Sequence, residues 1–100
     1  SPKYKQAFEE FTAVRSLRDS LDIALDEIKK LRSKYMFTPE SKFPNKIYMM
    51  NKTYKEMRAI REDKDIADIE LVEYNARVDS IYENEARIIG AAIANKFRIK

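Results

Sequence analysis

Val14, Leu21, Ile28 and Tyr35 stand seven residues apart, with Leu17, Ala24 and Leu31 between them and Ala7 one heptad earlier. An apolar repeat of seven sustained over four heptads confines a chain to a long helix with one apolar seam. An isolated helix in water gains little from its backbone alone, so the seam has to be laid against another helix. The pattern therefore dictates an all-α architecture and says almost nothing of chemistry.

The rest of the chain agrees. One Gly and three Pro occur in 100 residues, and two of the Pro fall in a single ten-residue stretch. Lys, Glu, Arg, Leu, Ile and Ala dominate, all compatible with helix. Ser1 is placed to cap a helix that opens on Pro2. Spacings of three and four then predict helix over about 2–35, with Asp26 and Lys30 one turn apart as an ion pair. The segment Met36 to Asn45 is the break: Thr38-Pro39-Glu40 starts a short turn, Phe43-Pro44 ends it, and Phe37 and Phe43 are expected to anchor it.

A second helix is expected over about 45–62, with Ile47, Met50, Tyr54, Met57 and Ile60 apolar. A third is expected over about 66–97, along Leu71, Tyr74, Val78, Ile81, Ile88 and Ala92. Glu85 interrupts that stripe, at a seam edge or paired with a cation of the first helix. Glu62-Asp63-Lys64-Asp65 reads as the junction, with Asp63 or Asp65 as cap. The expectation is a helical hairpin or three-helix bundle, with two long antiparallel helices and a shorter basic one between them in sequence. The alternative is a hairpin in which the second and third helices are continuous. Leu17, Leu21, Leu25, Ile28, Val78, Ile81 and Ile88 are the expected core. Gly90-Ala91-Ala92 permits close backbone approach near the end.

Composition removes several functions. Without Cys there is no disulfide scaffold and no Cys-based zinc site; without His the commonest general base and metal ligand are missing. The uncharged run Ile88 to Asn95 is too short to cross a bilayer, and no signal peptide is seen. An intracellular or virion location fits, and a chain beginning Ser-Pro reads as a single helical domain or an excised piece of a larger protein. The carboxylate pairs Glu9-Glu10, Asp26-Glu27, Glu62-Asp63 and Asp79-Glu83 fall on polar faces, not in a cleft, so no catalysis is expected. Asp63, Asp65 and Asp68 lack the Gly and closing Glu of a calcium loop. No cofactor, metal or small-molecule substrate is implied.

The net charge of +3 is unevenly laid out. Residues 29–61 total +8, from Lys29, Lys30, Arg32, Lys34, Lys42, Lys46, Lys52, Lys55, Arg58 and Arg61 against Glu40 and Glu56. Residues 62–85 total −7, residues 86–100 total +4 and residues 1–28 total −2. The ten cations, interleaved with Tyr35, Phe37, Phe43, Tyr48 and Tyr54, are candidate nucleic-acid contacts, since cations with aromatic platforms suit phosphates and unstacked bases. Alternatively the basic helix lies beside the acidic start of the next one, and the blocks neutralise each other. Ile88, Ile89, Ile93 and Phe97, followed by Lys96, Arg98 and Lys100, form a candidate face for a partner or a membrane surface, unless they pack on the first helix.

The stretch Tyr54 to Asp65 resembles helical segments of the polyvalent and internal virion proteins of bacteriophages, which travel with DNA. In those an I-R-x-D-x-D junction joins two helices; Ile60, Arg61, Asp63 and Asp65 match it, and Ile81 and Glu85-Ala86 fall where the second helix continues. Ala67-Asp68 stands where that family often starts the helix with Ser-Pro. The junction covers about a tenth of the chain. The resemblance implies a non-catalytic helical segment of a virion or ejection protein and carries no functional residues across. Taken together, the chain reads as a helical interaction or assembly module, with a protein partner or itself. A nucleic-acid-binding domain and a peripheral membrane module are the alternatives.

Overall fold

The computed structural model describes residues 1–98, as two helices: α1, Pro2–Phe37, of 36 residues, and α2, Lys46–Arg98, of 53. At the start of α1, Ser1 accepts the Tyr4 N–H on its hydroxyl at 3.2 Å, with Pro2 in the first turn. This satisfies one of the amides that a helix start leaves without an intrahelical partner. Asp26 and Lys30 form the expected pair at 3.6 Å.

Between the helices, Phe43 donates its N–H to Pro39 and Glu40 carbonyls, and its ring stacks on Tyr35 with centroids 5.1 Å apart. The Lys46 ammonium donates to the Met36 carbonyl at 2.9 Å, placing a cation at the negative end of the α1 dipole. Phe43 is thus an anchor of the turn. Phe37 is not: it is 82% exposed.

The expected third helix does not exist as a separate element. Residues 46–62 and 66–97 belong to one unbroken helix, and Glu62 to Asp65 lie inside it. Nothing between Lys46 and Gly90 is Gly or Pro, so the backbone has no reason to stop. The polar stretch looks like a turn only because the inward residue there is Lys64. Asp63 and Asp65 cap nothing, and the segment resembling the virion-protein junction is mid-helix in this chain.

The helices run antiparallel. Across them Ser1 bonds Glu85, Tyr4 meets Tyr82, Glu10 meets Arg77, Arg18 meets Asp68, Asp22 meets Lys64 and Arg32 meets Tyr54. In every pair the two numbers add to 86 or 87. The facing positions are Tyr4, Ala7, Phe11, Val14, Arg18, Leu21, Leu25, Ile28, Arg32 and Tyr35 on α1. On α2 they are Met50, Thr53, Met57, Ile60, Lys64, Ala67, Leu71, Tyr74, Val78, Ile81 and Glu85. All are buried or half-buried, and the intervals alternate between three and four throughout. This is the 3.5-residue repeat of a coiled coil, closed here within one chain.

That register moves one of the two expected series. Ala7, Val14, Leu21, Ile28 and Tyr35 do face α2, but their companions are Tyr4, Phe11, Arg18, Leu25 and Arg32. Leu17, Ala24 and Leu31 flank the seam instead, and Leu17 is 51% exposed where Leu25 is 7%. On α2, Thr53 takes the inward place expected of Tyr54, and Ile47, also expected on the apolar side, is exposed; the Thr53 hydroxyl donates to the Met49 and Met50 carbonyls. Ile88, expected in the core, is exposed, because α1 ends before reaching it.

The result is a rod of 88 × 16 × 15 Å. Ser1 stands level with Glu85, so residues 86–98 project past α1 as a lone helix of about 20 Å at 1.5 Å per residue. No helix among the described residues is long and apolar enough to cross a membrane.

Candidate functional site

The hairpin geometry gives the charge blocks fixed places. The register sets residues 29–34 of α1 opposite 52–57 of α2, basic against basic, with Lys42 in the turn that joins them. The closed end of the rod therefore carries the whole +8 block. The acidic block follows on the same helix, in line with it, and lies along residues 1–24 of α1, which hold four cations and four carboxylates. The two blocks do not lie side by side, the alternative left open by the sequence; among the described residues they meet only end to end on α2, where Arg58 pairs with Glu62.

Within that end the ten candidate cations divide. Lys30 pairs with Asp26, and Arg58 with Glu62 at 3.7 Å. Lys46 is engaged by the turn, and Arg32 lies 5.2 Å over the Tyr54 ring. Lys29, Lys34, Lys42, Lys52, Lys55 and Arg61 are exposed and make no ion pair among the described residues. Of the interleaved aromatics, Tyr35 and Phe43 cover each other, while Phe37 and Tyr48 stay open to solvent among the cations.

The middle of the seam is charged, which sequence reasoning missed. Arg18 and Lys64 occupy inward positions. Lys64 Nζ lies 2.6 Å from Asp22, and Arg18 reaches Asp19 at 3.4 Å and Asp68 at 4.0 Å. The hydrogen bond from Lys64 holds the Asp22 carboxyl below its ordinary value, and the same bond lifts Lys64 above its own. The Nε atoms of Arg18 and Arg32, buried in the seam, have no hydrogen-bond partner among the described residues, so the stems pass through apolar surroundings while the heads reach out. Extending the three-and-four spacing through charged residues would have revealed these layers.

Among the described residues no three carboxylates converge as metal ligands. Of the acidic trio, Asp68 turns to Arg18 while Asp63 and Asp65 face solvent. Of the carboxylate pairs, Glu10 accepts from Arg77 at 3.0 Å and Asp26 is taken by Lys30, so neither is poised beside its neighbour.

The second candidate region is the projecting end of α2. Ile88, Ile89, Ile93 and Phe97 are all more than half exposed there. They do not pack on α1, contrary to the sequence alternative, because α1 does not extend that far. Arg87 donates to Asn84 at 3.0 Å, and a Cβ built at Gly90 meets nothing within 4 Å. Lys100 lies outside the described residues. At the base of the projection Tyr4 lies beside Phe8 and Tyr82, and Phe8 beside Phe11, so the apolar surface continues onto the hairpin. Comparison with protein-family models, with curated proteins and with solved structures gave no match.

Proposed function

We propose that the chain is a non-catalytic helical assembly module that docks a protein through the projecting end of α2. One observation carries this reading: three isoleucines, Ile88, Ile89 and Ile93, lie more than half exposed on the stretch of α2 that runs past the start of α1. A lone helix of thirteen residues is marginal in water, so a partner helix gains both the apolar area and the ordering of this segment.

A photo-crosslinking residue placed at Ile89 in cells tests it, with Ile23, exposed on the outer side of α1, as control. A protein adduct at position 89 and none at 23 is expected. Absence of any adduct at 89 would sink the reading.

A second reading rests on the closed end, where six exposed cations make no ion pair among the described residues and Phe37 and Tyr48 are exposed as well. There the rod would hold the phosphates of a nucleic acid. Anisotropy with labelled single- and double-stranded DNA and RNA is the test. Charge reversal at Lys52, Lys55 and Arg61 should weaken binding for every sequence and flatten the dependence of log K on log salt by about three. Binding that ignores these reversals removes this reading.

A further inference from the structure

Three cations hold inward places in the seam, and two of them meet a carboxylate of the facing helix. Lys64 takes Asp22 at 2.6 Å, and Arg18 takes Asp68 at 4.0 Å. Arg32 has no such partner. It is half-buried, it makes no ion pair among the described residues, and its Nε is buried without a hydrogen bond. The Tyr54 ring, with its centroid 5.2 Å from the guanidinium carbon, holds the charge in place without neutralising it. A half-buried charge without a counterion costs stability. Leucine would serve the seam better, as it does one heptad earlier at Leu25.

Arg32 borders a groove of about 290 Å³ on one side of the closed end, lined also by Lys29, Ser33, Met36, Met57 and Arg61. Met57 is buried and closes its floor. Lys29 and Arg61 are exposed and unpaired among the described residues. Asp26 and Glu62, which stand near them in sequence, are taken by Lys30 and Arg58. Asp65, one turn beyond Arg61, makes no ion pair with it. Three cations and a hydroxyl thus surround one opening with no carboxylate in its wall. A phosphate offers more acceptor oxygens than a carboxylate and suits the planar fork of arginine. We infer that this groove clamps one phosphate group of a nucleic-acid strand, with Arg32 as its fixed donor and Lys29, Arg61 and the Ser33 hydroxyl around it. The inference rests on the nucleic-acid reading of the closed end and gives it a point of contact. A strand suits the site better than a lipid surface, because further cations lie round the end. At about 100° per residue, Lys34 stands nearly opposite Arg32 on α1, and Lys52 opposite Arg61 on α2. A chain of phosphates can pass from one side to the other, and a flat surface meets one side only.

Anisotropy of a labelled oligothymidylate strand on the full chain, at about 50 mM salt, decides it. Arg32→Leu should keep its far-UV circular dichroism and lose about tenfold in affinity, the loss of one charge-assisted contact. Lys34→Gln removes the same charge from the other side of α1 and should cost much less. Lys29→Gln combined with Arg61→Gln should lose at least as much as Arg32→Leu; both residues are exposed, so this variant keeps the test valid if Arg32→Leu misfolds. In nuclear magnetic resonance the Arg32 Nε–H should shift when the strand is added, while that of Arg18, also buried, stays. Equal losses at Arg32 and Lys34 overturn the clamp and leave the nucleic-acid reading standing. No salt-sensitive binding of any strand refutes both. Tighter binding to inorganic phosphate or to phosphatidic acid vesicles than to the strand assigns the groove to a free or a lipid phosphate and overturns the proposal. So does an oligoglutamate of equal charge that binds as tightly as the strand.

Discussion

Leu25 and Leu17 offer the sharpest test of the seam, because both are leucines on one helix and the two possible heptad registers rank them oppositely. Leu25 is 7% exposed and belongs with Leu21, Ile28, Ile60 and Met57 in the apolar layers nearest the closed end. Truncating a buried leucine to alanine removes its transfer free energy and leaves a cavity, together about 2–5 kcal/mol. A rod two helices thick has nothing behind the layer to hold the cavity open, so the low end applies, about 2–3 kcal/mol. For a chain of this length that lowers the melting temperature by roughly 10–20 °C. Leu17 is 51% exposed, so Leu17→Ala removes about half of a burial worth 1.5–3 kcal/mol, offset by the better helix propensity of alanine. Its expected cost is under about 1 kcal/mol. Urea and thermal unfolding followed at 222 nm measure both. Equal losses, or a larger loss at Leu17, would show that Leu17, Ala24 and Leu31 form the seam and that the register described here is wrong by one residue.

Gly90→Ala should raise helicity and stabilise the projecting segment by about 0.8–1 kcal/mol, since the new methyl meets open space; amide exchange of 86–98 reads this, and faster exchange would contradict it. Asp22 has a lowered value in the fold, so its bond to Lys64 contributes stability above the ordinary aspartate value of 3.8 and loses it as the pH falls through the lowered one. Lys64 is raised, so its share is present below 10.5 and disappears as the pH rises through the raised value. Melting temperatures from pH 2 to 11 should therefore fall less at both extremes in Asp22→Asn than in the parent chain; parallel curves would mean the contact is unimportant. Arg32→Leu removes a buried, unbonded Nε and gives up a contact with Tyr54 worth about 0.5–1 kcal/mol, so the urea midpoint should rise.

The all-α class, the cap at Ser1, the turn around Pro39 and Phe43 and the pairing of two long helices were legible in apolar spacing and in the scarcity of Gly and Pro. The register was not. Arg18, Arg32, Lys64 and Thr53 hold inward places, and a reading that accepts only apolar residues there steps aside to Leu17, Leu31 and Tyr54. The same bias turned Lys64 and its acidic neighbours into a junction. Of the candidate surfaces, the ten cations could be counted in the sequence, but their gathering at one end follows from the antiparallel register, which sets 29–34 against 52–57. That Ile88, Ile89 and Ile93 lie bare follows from the unequal lengths of the two helices, and no local pattern encodes it.

The antiparallel arrangement also fixes how the rod answers to load. Pulled between Ser1 and Arg98, α1 cannot be sheared along α2, because both points of attachment lie at the open end. It peels instead. The contact of Ser1 with Glu85 gives way first, then Tyr4 from Tyr82, then Glu10 from Arg77, and each layer bears the tension alone. Pulled from the turn and the tip, the same molecule loads its 53-residue helix along the axis and resists as a strut. It is a zipper in one direction and a tie-rod in the other.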